Sequence, residues 1–295
     1  MTRLLLADVL PLEDPAAFAK LYREASSERR RTADSFRFGK DRRLSLGAAA
    51  LLDKGLAAFG LRERDMAYGR SANGKPFFLN APEIHFNVSH SGTKVAVAFS
   101  DREVGCDIEE VVSAQLSAQS AEQEAAECLE MAGRFFSSEE YLAIKAAESP
   151  SERICMFYRC WTLKESYMKA TGLGMALAPD TFSVAGLSGG RFDTAGPTLG
   201  ASFSGGQLRP AALPGSAGPA LSAGLSGGQL RPTGLPGSAG PALSAGLSGG
   251  QPSKTALASD EGFVLRTIDS FPGYACALCH KPEAGDPRVE IIELL

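Results

Sequence analysis

The 295-residue sequence contains no run of about 18 apolar residues, so no segment reads as a membrane-spanning helix. It lacks a basic excess: the formal net charge is −4, which argues against nucleic acid as the main partner. Neither a phosphate-binding P-loop nor a glycine-rich dinucleotide fingerprint occurs. The opening stretch MTRLLLADVLPLEDP has one arginine and an apolar run broken by Asp8, which is too short and too acidic for an export signal. It reads better as a first β-strand. The six cysteines (106, 128, 155, 160, 276 and 279) are accordingly expected as reduced thiols in a cytoplasmic protein. The pattern Cys276-Ala-Leu-Cys279-His280 spells a haem-attachment site, but that chemistry needs an exported chain, and GYACALCH reads instead as a buried strand beside a turn.

What is present is a globular composition, 44% apolar, long enough for one large domain or two modest ones. Residues 11–68 read mainly as helix: EDPAAFAKLYREA, the arginine-rich ERRRTADSFRFGKDRR, then LSLGAAALLDKGLAAFG with Gly60 as a stop. NGKP at 73–76 is turn chemistry. IHFNVSH and TKVAVAFS read as strands, and DREVGCDIEEV as a hairpin arm that turns at Ser100 to Glu103. A helix over Ala118 to Gly133 follows, and Ser137 and Glu140 have the spacing of a capping box that opens another. Ser149-Pro150-Ser151-Glu152 supplies an N-cap, a first-turn proline and a reciprocal glutamate for a third helix, closed by Gly172. TFSVAG, FVLRTIDS, GYACALC and VEIIEL read as strands.

Between Ala185 and Ser253 the composition shifts to Gly, Ser, Ala, Pro and Leu. SGGQLRPAALPGSAGPALSAGL (204–225) recurs over 226–247 with two differences, and a third copy starts at Ser248. Such a unit has too few aromatic or β-branched side chains to bury, so a flexible surface insertion is expected rather than a solenoid. Near-identical neighbouring copies point to tandem duplication of DNA.

The helix after Ser149 carries the chemical anomaly. At about 100° per residue, Ile154, Phe157, Tyr158, Trp161 and Met168 form one apolar stripe, and Glu165 falls near its centre. An unpaired carboxylate there would be costly. Asp107 and Glu109, two apart on a strand, emerge from one face and repel each other unless a cation intervenes. With Glu165 they make a hard-oxygen set suited to magnesium, the alternative for Asp107, Glu109 and Glu110 being a solvated acidic hairpin end. Lys169, one turn beyond Glu165, is either a helix pair or a cation held for a phosphate. The cluster from Arg29 to Arg43 has three readings: a nucleic-acid patch, a solvated helix face, or a pocket for one highly charged phosphate ligand. Lys75, Ser89 and His90 offer further donors. Ser89 and His90 are adjacent on a strand and point to opposite faces, so a hydrolytic pair is not expected.

Five pieces in order, GKP (74–76), FNVSHSG (86–92), VGCDIEE (104–110), RFFSSEEY (134–141) and WTLKESYMKATGLGM (161–175), resemble the 4′-phosphopantetheinyl transferases, specifically the larger type that activates peptide and polyketide synthetases. The resemblance implies a mixed α/β (α+β) fold of two similar subdomains arranged as a pseudo-dimer, residues 1–105 and 106–295, the second interrupted by a disordered repeat insert over 186–253. It implies magnesium on Asp107, Glu109 and Glu165, and coenzyme A against Lys75, Ser89, His90 and Lys169. Arg29 and Arg43 are looser matches for its 3′-phosphate side. Cys106 departs from the family's usual aliphatic residue. The implied reaction moves 4′-phosphopantetheine from coenzyme A to a serine of an apo acyl or peptidyl carrier protein, with Glu165 and Lys169 as catalytic groups. A cytoplasmic monomer is expected, with no nucleic-acid or membrane partner. Two other readings stay open: a magnesium-dependent nucleotide pyrophosphatase, and a non-catalytic carrier-protein binder.

Overall fold

A computed structural model of the chain describes residues 1–111, 117–185, 206–208 and 262–294. Most of the repeat-rich segment expected over 186–253 lies outside the described residues. Strand β1 (Arg3–Asp8) leads to helices α1 (Pro15–Glu24), α2 (Ser27–Ser35) and α3 (Gly39–Leu56). A short hairpin, β2 (Tyr68–Arg70) and β3 (Pro76–Phe78), encloses the NGKP turn, followed by β4 (His85–Ser91) and β5 (Lys94–Ser100). Then come β6 (Val104–Glu110), α4 (Ala118–Phe135), α5 (Ser138–Lys145) and α6 (Pro150–Thr171). Strands β7 (Gly206–Leu208), β8 (Phe263–Thr267), β9 (Tyr274–His280) and β10 (Arg288–Ile291) complete the set.

The helix starts follow local chemistry. Asp14 accepts from the amides of Ala16 and Ala17 ahead of Pro15, and Ser149 accepts from Glu152 ahead of Pro150. At α5 the capping box is complete: Ser137 Oγ takes the Glu140 amide, and Glu140 Oε2 takes the Ser137 amide at 2.8 Å. Gly172 ends α6 with φ 69°, a conformation that glycine adopts without steric cost.

Among the described residues two four-stranded sheets result, ordered β10-β1-β5-β4 and β6-β9-β8-β7. Among the described strands, β1 and β10 alone pair in parallel. The order β1-β5-β4 is repeated as β6-β9-β8, each with three helices after its first strand in sequence. Alternation along the strands sorts the cores. Leu5, Val95, Val97 and Phe99 share the core of the first half with the buried leucines of α3. In the second half Phe263, Leu265, Ala277 and Cys279 do the same with the α4–α6 layer. The other faces, Leu4, Leu6, Ala96 and Ala98 against Cys106, Ile108, Cys276 and Leu278, pack sheet on sheet.

Several expectations change. The strand at 104–110 does not fold back on β5. It enters the second sheet and pairs with β9, Asp107 opposite Ala277. TFSVAG is not a strand: Pro179–Thr181 is a 3-10 turn, and the Val184 amide donates to Glu140 Oε1 at 2.6 Å rather than to a sheet. The basic segment is split between α2 and α3, because Phe36 and Phe38 are extended. The C-terminal strand returns to the first sheet. GYACALC is the expected buried strand, and Cys276 and Cys279 lie on opposite faces of it, in different cores.

Candidate active site

The first sheet ends at β4 and the second begins at β6, and side chains join them. Asn87 Oδ1 accepts from the Cys106 amide at 2.8 Å, Ser89 Oγ from Ile108 at 3.4 Å, and Ser91 Oγ from Glu110 at 3.0 Å. The alternation of three short polar residues on one strand thus substitutes for a backbone ladder.

Two of these side chains also bind the carboxylates. Ser89 Oγ donates to Asp107 Oδ1 at 2.7 Å, and Ser91 Oγ donates to Glu109 Oε2 at 2.8 Å. From α6, Lys169 Nζ reaches Asp107 Oδ1 at 2.6 Å, Ser89 Oγ at 3.2 Å and Glu165 Oε2 at 3.4 Å. The one donor and two acceptor positions of the Ser89 hydroxyl are all used. Gly105 makes this approach possible, since a Cβ there would strike the Ser166 carbonyl oxygen and the Ala170 amide nitrogen of α6.

Asp107 and Glu109 are buried, and Glu165 and Lys169 are half-buried. Asp107 Oδ2 is enclosed without a hydrogen-bond partner. Burial, then the Asp107 charge, pushes the Glu109 carboxyl up to about 8. Burial likewise raises Glu165, opposed by Lys169. Burial alone would lower Lys169, but Asp107 and Glu165 carry it well above the ordinary lysine value. His90 is held below the usual histidine range, first by burial and then by the Lys169 charge.

Ser89, Asp107, Glu165 and Lys169 therefore meet in one bonded cluster, with Glu109 two residues along the strand. Among the described residues no group of three or more His, Cys, Asp or Glu side chains converges as a ready metal cage, and the Lys169 ammonium stands between Asp107 and Glu165. Three matched residues lie apart from the cluster. Lys75 Nζ donates to the carbonyls of Val104 and Ala170, each at 3.0 Å. Arg29 is buried in the first half, its Nε on Glu63 Oε1 at 2.7 Å and its Nη2 on the Tyr68 hydroxyl at 3.2 Å. Arg43 pairs with Glu13 at 2.9 Å.

Sequence reasoning missed Asn87 and Ser91, whose signal was an all-polar face (87, 89, 91) on a strand otherwise built to be buried. It also missed Lys164. That side chain is buried, with Nζ on Glu140 Oε2 at 2.8 Å and on the carbonyls of Pro179 at 2.8 Å and Phe182 at 2.6 Å.

A fold with duplicated strand order and a lysine–carboxylate cluster at the joint defines a class, and comparison with known proteins gives the family. Residues 14–102 match the family model described as 4′-phosphopantetheinyl transferase, N-terminal, and residues 103–209 match that of the 4′-phosphopantetheinyl transferase superfamily. A 4′-phosphopantetheinyl transferase of Bacillus pumilus is 33% identical over 178 residues, covering 59% of this chain and 70% of the relative. One from Bacillus subtilis is 31% identical over 160 residues, 54% of this chain and 65% of the relative. The L-aminoadipate-semialdehyde dehydrogenase-phosphopantetheinyl transferase of Xenopus laevis is 31% identical over 155 residues, 50% of this chain and 49% of the relative. The chain belongs to the 4′-phosphopantetheinyl transferase superfamily, and its matches span from 49% to 70% of these relatives' lengths.

Proposed function

We propose that the protein transfers 4′-phosphopantetheine from coenzyme A to a serine of an apo acyl or peptidyl carrier protein, releasing 3′,5′-adenosine bisphosphate. The observation that carries this reading is the convergence of Ser89, Asp107, Glu165 and Lys169 from both halves on one point. The duplicated strand order supports two subdomains in a pseudo-dimeric arrangement, meeting near Gly105. A monomeric cytoplasmic protein is the proposed working form. Among the described residues no helix is long and apolar enough to cross a membrane.

The donor set fits a hard divalent cation. Asp107 Oδ2 is buried and unpartnered, and Glu109 is pushed up by burial beside a like charge, both of which an added cation would relieve. Asp107, Glu109 and Glu165 would hold magnesium, which supplies charge neutralisation for the pyrophosphate and the leaving group. In the transfer, the carrier serine oxygen bonds to the β-phosphorus, the bond from that phosphorus to the bridging oxygen breaks, and the bisphosphate departs with the electron pair. Lys169 carries a permanent positive charge to the phosphate oxygens. Glu165, made more basic by burial, accepts the serine proton directly or through one water. His90, its imidazole held toward the neutral form, is the proposed coenzyme A contact on β4, while Ser89 on the opposite face acts by holding Asp107 and Lys169. Arg43, which would exchange Glu13 for the anion, is the proposed contact toward the 3′-phosphate, and Arg29 could join it only by leaving Glu63 and Tyr68.

Purified protein with coenzyme A and magnesium is expected to add about 340 Da to an apo carrier protein, read by mass spectrometry. Asp107→Ala and Glu165→Ala should each abolish the addition while far-UV circular dichroism stays unchanged. No added mass on any member of a panel of apo carriers would refute the assignment. Phosphopantetheine released without an acceptor would replace it with pyrophosphatase chemistry.

A further inference from the structure

A second fastening between the halves lies just beyond Ser91, at the tip of the β4–β5 hairpin. The tip is gripped from both sides. Toward the first half, the Val9 amide donates to the Thr93 carbonyl at 2.8 Å, and Lys94 pairs with Asp8 at 2.8 Å. Toward the second half, the Thr93 amide donates to the Tyr274 hydroxyl at 3.2 Å, and that hydroxyl donates to Glu110 Oε1 at 3.3 Å. The Lys94 ammonium also lies over two rings of the second half, 4.9 Å from the centre of Phe271 and 5.3 Å from that of Tyr274.

Gly92 makes room for this contact. Its φ of 56° is in the left-handed region that favours glycine, and a Cβ there would strike the Tyr274 hydroxyl and the Glu110 carboxylate. The residue before it is Ser91, whose hydroxyl accepts from the Glu110 amide at 3.0 Å and donates to Glu109 Oε2 at 2.8 Å. A closed ring results: the chain runs from Ser91 through Gly92 to Thr93, hydrogen bonds lead on to Tyr274 and Glu110, and the Glu110 amide returns to Ser91. Tyr274 stands opposite Glu110 in the β6–β9 register, so its ring is placed by the second sheet. The tip of the first half is thereby referred to the strand that carries Asp107 and Glu109.

We propose that Tyr274 is a positioning residue for Glu109: its hydroxyl holds the hairpin tip against β6, the tip fixes Ser91, and the Ser91 hydroxyl sets where the Glu109 carboxylate aims. This inference rests on the transferase reading, with Glu109 among the magnesium ligands, for its catalytic consequence.

The test uses Tyr274→Phe in the full chain, which removes one oxygen and keeps the ring beside Lys94. The magnesium concentration for half-maximal transfer to an apo carrier protein should rise about tenfold, as on loss of a group that orients a metal ligand, with KM for coenzyme A within about twofold. Calorimetric titration of magnesium into the protein with coenzyme A and no acceptor should weaken by the same factor. Hydrogen exchange at the Glu110 amide should speed up. Ser91→Ala should weaken magnesium in the same direction, and adding Tyr274→Phe to it should change the midpoint by less than about twofold, because both act along one path. An unchanged magnesium midpoint in Tyr274→Phe would overturn the proposal, as would fully additive effects in the double variant or unchanged exchange at Glu110. Should Tyr274→Phe fail to fold, Lys94→Met, which frees the tip from both rings, decides by the same readings. If the unaltered protein transfers nothing, the functional assignment falls, while exchange at Glu110, which needs neither magnesium nor coenzyme A, still judges the fastening.

Discussion

Helices α3 and α6 hold equivalent places in the two halves, each the long helix packed on the first strand of its sheet and the neighbour of that strand, yet they are built differently. The buried positions of α3 are leucine, alanine and glycine, and its charged residues are all at least partly exposed. Close approach in that half comes from glycines on the helix: a Cβ on Gly47 would meet Val9, and one on Gly55 would meet the Phe99 ring. In the second half the glycine has moved to the strand, at Gly105, and the helix buries Lys164 and carries the half-buried Glu165 and Lys169 to the carboxylates of β6. One topology therefore serves once as apolar scaffold and once as the carrier of charge. The difference lies in what each helix needs in order to hold its position. Hydrophobic packing suffices for α3, whereas α6 has a buried ion pair on one side and the carboxylates of β6 on the other.

The comparison breaks most visibly at the glycines. Gly105→Ala would strike helix backbone, which cannot rotate aside, so transfer should fall by about a hundredfold or more. Gly55→Ala meets the Phe99 ring first, and a stability loss of about 1–3 kcal/mol with transfer retained is expected. Steady-state rates and urea unfolding of both variants check this, and equal loss of transfer in the two would erase the distinction.

A smaller effect on transfer is expected at Lys164, where the change is read in stability. Lys164→Met leaves the Glu140 carboxylate buried without its cation, and about 3–5 kcal/mol of stability should be lost. The exposed Lys54→Met on α3 should stay within about 0.5 kcal/mol. Urea midpoints for the two lysine variants sharpen the contrast.

The smallest effect belongs to Asp8, paired with Lys94 at 2.8 Å across β1 and β5. Burial works to raise the Asp8 carboxyl, but the bonds from Lys94 and the Leu10 amide outweigh it and hold the group below its ordinary 3.8. A depressed carboxylate stabilises the fold above the unfolded-state value and loses that contribution as pH falls through the folded one. Asp8→Asn should therefore cost about 0.5 kcal/mol near neutral pH and nothing once the native carboxyl is protonated. Unfolding curves from pH 7 down to about pH 2 should converge at the acid end.

Local chemistry was legible in the sequence. Ser149, Pro150 and Gly172 marked the ends of α6, and the Ser137–Glu140 box was visible from its spacing. Asp107 and Glu109 were readable as one face of a strand, and Glu165 as a misplaced carboxylate. What could not be read was non-local. Nothing in DREVGCDIEEV tells that its partner is β9, more than 150 residues onward, rather than the adjacent β5. TFSVAG has strand composition, but its Val184 amide is claimed by a carboxylate on another helix. Lys164 carried no signal of its own in the sequence, because its partner Glu140 is already accounted for by the capping box and offers Lys164 a further lone pair. Arg29 sits in an arginine-rich run with three open readings, a nucleic-acid patch, a solvated face or a phosphate pocket, and none of them foretells that Glu63 and Tyr68 draw it inside.

The joint at Asn87, Ser89 and Ser91 has one further consequence. Each serine that fastens the sheets also occupies a lone pair on a carboxylate of the opposite half, and so dictates where that carboxylate's remaining oxygens aim. Fastener and jig are the same hydroxyl. Either half separated from the other would lose the aim of Asp107 and Glu109, and the first half would lose β10 from its sheet as well. The mating of the two edges therefore sets the chemistry, and whatever parts β4 from β6 disarms the carboxylates even where each core survives.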